Sequence, residues 1–256
     1  EKLHKSFKNS ELYSLDDKNL ASLDFKNRII IINSFYSTLN LEKLNKYELF
    51  YKKSIYDLSK FLDLLSKKKI RKIIYTSSSS IYNSINENDL SDHRNRKIYA
   101  STKYAAENLI KNFCSVNRIS FSILRLFNLY GEKEKFSIIS KIISSYKNKN
   151  KTLTLINNGN SVRDFIHIND VIKIYKFSIN KKENQIIDVG KGYGFKIKDI
   201  ISKLGEHNFK IKNKNKIEEN FSISKIDYKF LSNEKLENFF SKSLNIQNKI
   251  SFKKYY

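Results

Sequence analysis

The chain has no proline, no methionine and no tryptophan among its 256 residues, and only one cysteine and six glycines. An average chain is about 5% proline, so its complete absence is far from chance. Without methionine the first residue, Glu1, is not an initiator. These absences predict a fragment, a processed product or an altered sequence. The single Cys114 excludes an intrachain disulfide and a cysteine-based metal cluster, and it agrees with a reducing compartment. No window supplies the roughly 18 uncharged apolar residues that a membrane helix needs. The opening stretch EKLHKSFKNS also lacks the apolar core of a signal peptide. The expectation is a cytoplasmic protein with no membrane partner and no metal.

What is present suits a folded globular protein. Hydrophobic residues make up 40% and aromatics 13%, enough to bury a core in one domain, or in one main domain with a smaller companion. The formal charge of +23 would attract phosphates. The excess is nearly all lysine, however, dispersed with Asn and Ile, whereas a nucleic-acid reader clusters Arg with aromatics on one face. Residue-usage bias is the favoured reading, and polyanion binding is kept as an alternative.

Hydrophobic periodicity alternates short β-branched runs with longer amphipathic stretches. Residues 28–32, RIIII, read as a buried parallel strand. Ile55, Leu58, Phe61, Leu62 and Leu65 then follow helical spacing, with lysines in the last turn. Residues 72–76 form the next strand, 99–113 a helix and 119–128 another buried strand. This alternation predicts right-handed crossovers and a parallel sheet covered on both faces, half of a doubly wound α/β domain. From Gly131 on, where all six glycines lie, residues 136–147 read as a helix, 151–156 as a strand, and 169–179 as a helix capped by Asn169. The run GKGYG does not match a dinucleotide loop, because no helix follows at the required spacing. Residues 210–216, KIKNKNK, read as a solvated loop or edge.

Two stretches suggest chemistry: IIYTSSSSIYN and RKIYASTKYAAENL. Tyr99 and Lys103 are four apart, so on a helix they share a face. An ammonium there would stabilise a phenolate and lower a phenol pKa that is about 10 when unperturbed. Such a Tyr can take a proton from a hydroxyl while hydride leaves the same carbon for a nicotinamide. Ser78, at the strand end, would sit at the carboxyl edge of the sheet, where α/β ligands bind, with its hydroxyl on the reacting oxygen.

The order of strand, serine run, Tyr-x-x-x-Lys helix and the strand LRLFN resembles the extended short-chain dehydrogenase/reductases of the NAD-dependent nucleotide-sugar epimerase/dehydratase family, from about residue 28 to about 244. The resemblance implies an incomplete Rossmann-like doubly wound parallel sheet over residues 1–130, with a smaller C-terminal α/β substrate domain over 131–256. TSSSSIYN carries the catalytic Ser onto Ser78. YASTK carries the base onto Tyr99 and its partner onto Lys103, and Glu107 falls where these helices place one. NAD, with NADP left open, would lie against Asn33, Ser34, Thr76, Tyr99, Lys103 and Phe127. A nucleotide-diphosphate sugar would meet Ser78, Asn128 and Arg163, the last from SVRDFIHINDV as a bidentate phosphate partner. His167 in that motif reads as a packed structural residue.

Departures from the family pattern matter as well. No glycine precedes Gly131, so the family's Gly-x-x-Gly-x-x-Gly turn is not matched. RIIIINSFYS resembles the family's fourth strand, which implies an N-terminally incomplete copy that binds NAD poorly by itself. Ser79 and Ser80 stand where sugar 4,6-dehydratases carry an Asp-Glu pair, which disfavours elimination. No second phosphate-binding Arg follows Arg163, so help there would come from a lysine in 210–229. Three readings stay open: a nucleotide-sugar epimerase working through a 4-keto intermediate, a keto-sugar reductase of the same fold, and a non-catalytic remnant or polyanion binder. Oligomeric state is open too. The family's pairing through a four-helix interface implies a homodimer that would include the Tyr99 helix.

Overall fold

The isoleucine run forms strand β1 (Ile29–Ile32), which pairs in parallel with β2 (Lys72–Ser78) in the register Ile29 to Lys72 through Ile32 to Tyr75. In this computed structural model the described residues are 2–15, 17–33, 47–84, 94–132, 134–214, 223–224 and 235–256. Between the two strands runs helix α1 (Asp57–Ser66), preceded by a π-helical turn at Lys52–Tyr56. Its Leu58, Phe61, Leu62 and Leu65 are buried, at the spacing that puts one stripe against a sheet.

Helix α2 (Arg94–Asn117) begins five residues before the expected start and leads into β3 (Ser120–Leu126). A short strand β4 (Asn128–Tyr130) follows, then α3 (Ile138–Lys147), β5 (Thr152–Ile156) and β6 (Val162–His167). The chain continues through α4 (Ile168–Asn180), β7 (Gln185–Val189), β8 (Gly194–Lys196), α5 (Ile197–Leu204), β9 (Lys210–Lys214) and α6 (Leu236–Leu244). Sheet order is β1-β2-β3-β7 in the main sheet and β4-β6-β8 in a second, with β5-β9 as a pair.

Two compact units result, one of Glu1–Arg125 with Tyr175–Ile187, the other of Leu126–Ile174 with Asp188–Tyr256. Each has its own apolar core. In the first, Leu62, Leu65, Ile73, Ile110, Cys114 and Ile123 pack together. In the second, Ile139, Ile142, Ile200, Ile201 and Phe240 do so.

Of the loop or edge expected over residues 210–216, residues 210–214 form the edge: β9 pairs in parallel with β5 in a two-stranded sheet, from Thr152 with Lys210 to Ile156 with Lys214. The expectation of Asn169 as the cap of α4 is corrected: the residue lies inside the helix. The helix already begins at Ile168, and the Asn169 N–H donates to Nδ1 of His167 at 3.3 Å. Among the described residues, no helix is long and apolar enough to cross a membrane.

Candidate active site

Strand β2 is buried from Lys72 to Ser77 and emerges only at Ser78, where the serine run turns the chain out of the sheet. The Ser78 hydroxyl lies 3.0 Å from that of Ser80, accepts the Ser80 N–H at 3.2 Å, and is hydrogen-bonded to the Tyr99 phenol. Tyr99 reaches it from α2. Along that helix Lys103, Ala106, Glu107, Ile110 and Cys114 are all buried, a stripe of period three to four that is polar at one end and apolar at the other.

Lys103 is buried against β2. Its Nζ donates to the Thr76 carbonyl at 2.9 Å and to the Tyr75 hydroxyl at 3.3 Å. Burial pushes the amine well below the ordinary lysine value, and the nearby Glu107 carboxylate opposes that fall. Burial likewise raises the Tyr99 phenol, with the Ser78 hydrogen bond opposing. The expectation that Lys103 draws Tyr99 down toward working pH is thus corrected: loss of water around the phenolate outweighs the contacts that favour it.

Beneath these residues lies a network that sequence reasoning only touched. Glu107 is fully buried and accepts from Ser77 Oγ at 2.5 Å, and from Arg125 Nε and Nη2 at 3.0 and 2.7 Å. Arg125 Nη1 donates to the Tyr82 hydroxyl at 2.9 Å. The signal was present: Arg125 is the one charge inside the apolar strand ILRLF, and a buried guanidinium needs a carboxylate.

Of the other expected cofactor contacts, Asn33 is exposed just past the end of β1 and Ser34 lies outside the described residues. Thr76 is fully buried, its hydroxyl bonded to that of Tyr175 and its carbonyl to Lys103. Both of its side-facing groups are therefore already partnered within the protein.

The second unit holds the remaining candidates. Phe127 is buried, and its N–H donates to the Val189 carbonyl at 3.0 Å. The Asn128 amide donates to the Asp164 carbonyl at 3.0 Å. Arg163 is half-buried on β6, opposite Phe195 of β8, and its Nη1 reaches the Val162 carbonyl at 3.3 Å. His167 is buried, its ring 5.2 Å from that of Tyr130 and 5.8 Å from that of Phe239. Of the lysines expected to assist Arg163, Lys212 is exposed on β9, and most of residues 215–229 lie outside the described part.

The GKGYG turn has an internal occupant. Its Lys191 and Gly192 N–H groups donate to the Asp164 carboxylate at 2.8 and 3.0 Å, joined by the Ser224 N–H at 3.1 Å and hydroxyl at 2.6 Å. Burial raises this carboxyl, and the four hydrogen bonds oppose the rise. Beside it, Lys191 Nζ pairs with Asp170 at 3.0 Å. A turn that would otherwise offer its amides to a phosphate is closed on a side chain of its own unit. Among the described residues, no cluster of three His, Cys, Asp or Glu could hold a metal ion.

Comparison with known proteins follows the same outline. The model of the NAD dependent epimerase/dehydratase family matches residues 31–190. A putative UDP-glucose 4-epimerase of Methanocaldococcus jannaschii is 33% identical over 97 residues, 37% of this chain and 32% of that protein. The first curated relatives are matched over 32%, 34% and 46% of their own length, so the chain spans less than half of each. Among solved structures, the UDP-N-acetylglucosamine 4-epimerase of Methanobrevibacter ruminantium, in complex with UDP-N-acetylmuramic acid, superposes with a TM-score of 0.68 at 22% identity, covering 84% of this chain and 73% of that one. The UDP-glucuronic acid 4-epimerase of Bacillus cereus, in complex with UDP-glucuronic acid and NAD, gives 0.63 at 20% identity over 83% and 68%. These likenesses show a Rossmann-like α/β fold with a parallel sheet. The family model spans more than half of the sequence, and the chain therefore belongs to the NAD dependent epimerase/dehydratase family.

Proposed function

We propose that this chain carries the proton-transfer site of an NAD-dependent nucleotide-sugar epimerase. The observation that carries the reading is the placement of Ser78 where β2 emerges at its carboxyl end, with Tyr99 and Lys103 one turn apart on the same face of α2 and Lys103 bonded to the same strand at Thr76. The relatives described above are all named as 4-epimerases of UDP-sugars, which supports a nucleotide-diphosphate sugar as substrate and its C4 as the reacting carbon.

In this reading Ser78 holds the reacting hydroxyl and Tyr99 takes its proton, while the hydride on the same carbon would pass to NAD, so that the alcohol becomes a 4-keto sugar. The same Tyr99 returns the proton, and the hydride would come back, once the sugar has presented its other face. Glu107 and Arg125 hold the helix that carries Tyr99, and Arg163 and Asn128 belong to the binding of the sugar diphosphate. Ser79 and Ser80 have no acid–base capacity for elimination, which argues against dehydration.

The residues present fit the nicotinamide and ribose end of NAD: the buried Lys103 amine supplies hydrogen-bond donors, and Asn33 sits at the open end of β1. Phe127 is kept as a cofactor residue in this reading, and Thr76 would act on the cofactor through Lys103. NAD, when bound, supplies the hydride acceptor and donor at the sugar carbon.

A keto-sugar reductase has one argument in its favour: burial raises the Tyr99 phenol, so at neutral pH the site rests in the protonated form from which reduction of a carbonyl draws its proton.

The test is turnover of a UDP- and dTDP-sugar panel at saturating NAD, with products resolved by chromatography. Epimerised sugar at constant NAD supports the first reading, and stoichiometric use of reduced cofactor on keto-sugars supports the second. Tyr99→Phe is expected to lower kcat by about 10²-fold or more while leaving nucleotide affinity unchanged. Full activity in that variant would sink both readings.

A further inference from the structure

Strand β2 places Tyr75 two residues after the fully buried Ile73, on the same face, which puts a phenol into the same apolar core. A buried hydroxyl left without a partner bears its full desolvation cost, so a tyrosine there needs one. Its partner is the Lys103 amine, which donates to the Tyr75 oxygen at 3.3 Å and lies 4.9 Å from the centre of the ring. The lone pair and the ring face both favour a cation.

The charged and titratable groups around Lys103 come from the elements packed against it. β2 supplies Tyr75 and the Thr76 carbonyl, α2 supplies Tyr99 and Glu107, and β3 supplies Arg125, which is bound to Glu107. Tyr75 itself stays a neutral phenol, because burial raises it far above its ordinary value.

We propose that Tyr75 is a positioning residue for the reaction, a second phenol that holds the Lys103 ammonium at fixed depth one turn from Tyr99. It touches neither sugar nor cofactor and acts only through Lys103. The role rests on reading Lys103 as the partner of Tyr99, whereas the contact itself does not.

The test is a pH titration of the whole chain labelled with 13Cε-lysine, followed by NMR, with the Lys103 signal assigned through Lys103→Arg. Tyr75→Phe keeps the ring and removes the oxygen. Its Lys103 midpoint is expected to fall by about half a pH unit, and further in Tyr75→Leu, which removes the ring as well. An unchanged midpoint in folded Tyr75→Phe overturns the proposal. Should the variants not fold, the Tyr75 13Cζ signal of the wild-type chain decides: it is expected to follow the Lys103 midpoint, and a signal blind to it overturns the contact. In turnover, the alkaline limb of kcat is expected to move by the same amount with KM unchanged. A shifted amine with an unshifted limb overturns the positioning role. Absence of turnover in the wild type counts against the catalytic reading alone, since the amine titration needs neither cofactor nor sugar.

Discussion

Lys103 is a long cationic side chain whose charge is held in the core of the first unit, and the folded state has to bear that burial. Its folded pKa lies below the value of 10.5 that the unfolded chain retains. Between those two values the unfolded state binds more protons, so stability rises with pH across that window and is lost as pH falls through the folded pKa. Lys103→Met, of similar length and uncharged, is therefore expected to abolish turnover yet raise stability at pH 7 by on the order of 1 kcal/mol. The gain should shrink as pH climbs toward 10.5. Urea denaturation of both proteins at several pH values checks this, and a gain independent of pH would refute the account. Neighbouring Glu107 differs, since Arg125 and Ser77 satisfy its carboxylate.

At the scale of elements, α2 and the turn between β7 and β8 do opposite work with similar means. The helix presents Tyr99, Lys103 and Glu107 in successive turns and then becomes apolar at Ile110 and Cys114, so one face is polar at its start and joins the core further on. The turn wraps its amides around Asp164, which leaves no room over Gly190. A Cβ there would lie 2.4 Å from the Ser224 hydroxyl and 2.6 Å from an Asp164 oxygen. Gly190→Ala should therefore part the carboxylate from its donors and destabilise the second unit by about 1–3 kcal/mol. Hydrogen exchange at Gly192 and Ser224 reports this directly: protection should fall there, while Ile73 and Ile74 of β2 stay protected. Unaltered exchange at the turn would show that the close approach does not matter.

At the scale of the whole molecule, the 256-residue chain carries Ser78, Tyr99 and Lys103 in a sequence with no glycine before Gly131. NAD pyrophosphate is held by backbone amides that only a glycine-rich turn lets it approach. The chain as it stands is therefore expected to bind NAD with a Kd of about 1 mM or weaker. Calorimetric titration measures it, and micromolar binding would mean that other residues hold the pyrophosphate. Much of this molecule was legible beforehand. Period alone marked the isoleucine strand, the serine-ended strand and the Tyr99 helix, because a buried stripe or run must repeat at the spacing of its backbone. Spacing alone put Tyr99 and Lys103 on one face, and the family resemblance added Glu107. Partners distant in sequence were not legible. Ser224 with Asp164, Arg125 with Tyr82, and Lys103 with Tyr75 lie between 28 and 60 residues apart, and no local periodicity links them. The sequence by itself determined the elements, their faces and the chemical types at the site. Only the tertiary structure decided how deeply each charge is buried and what meets it, and so which way each proton affinity moves, because desolvation depends on what the rest of the chain lays over a residue.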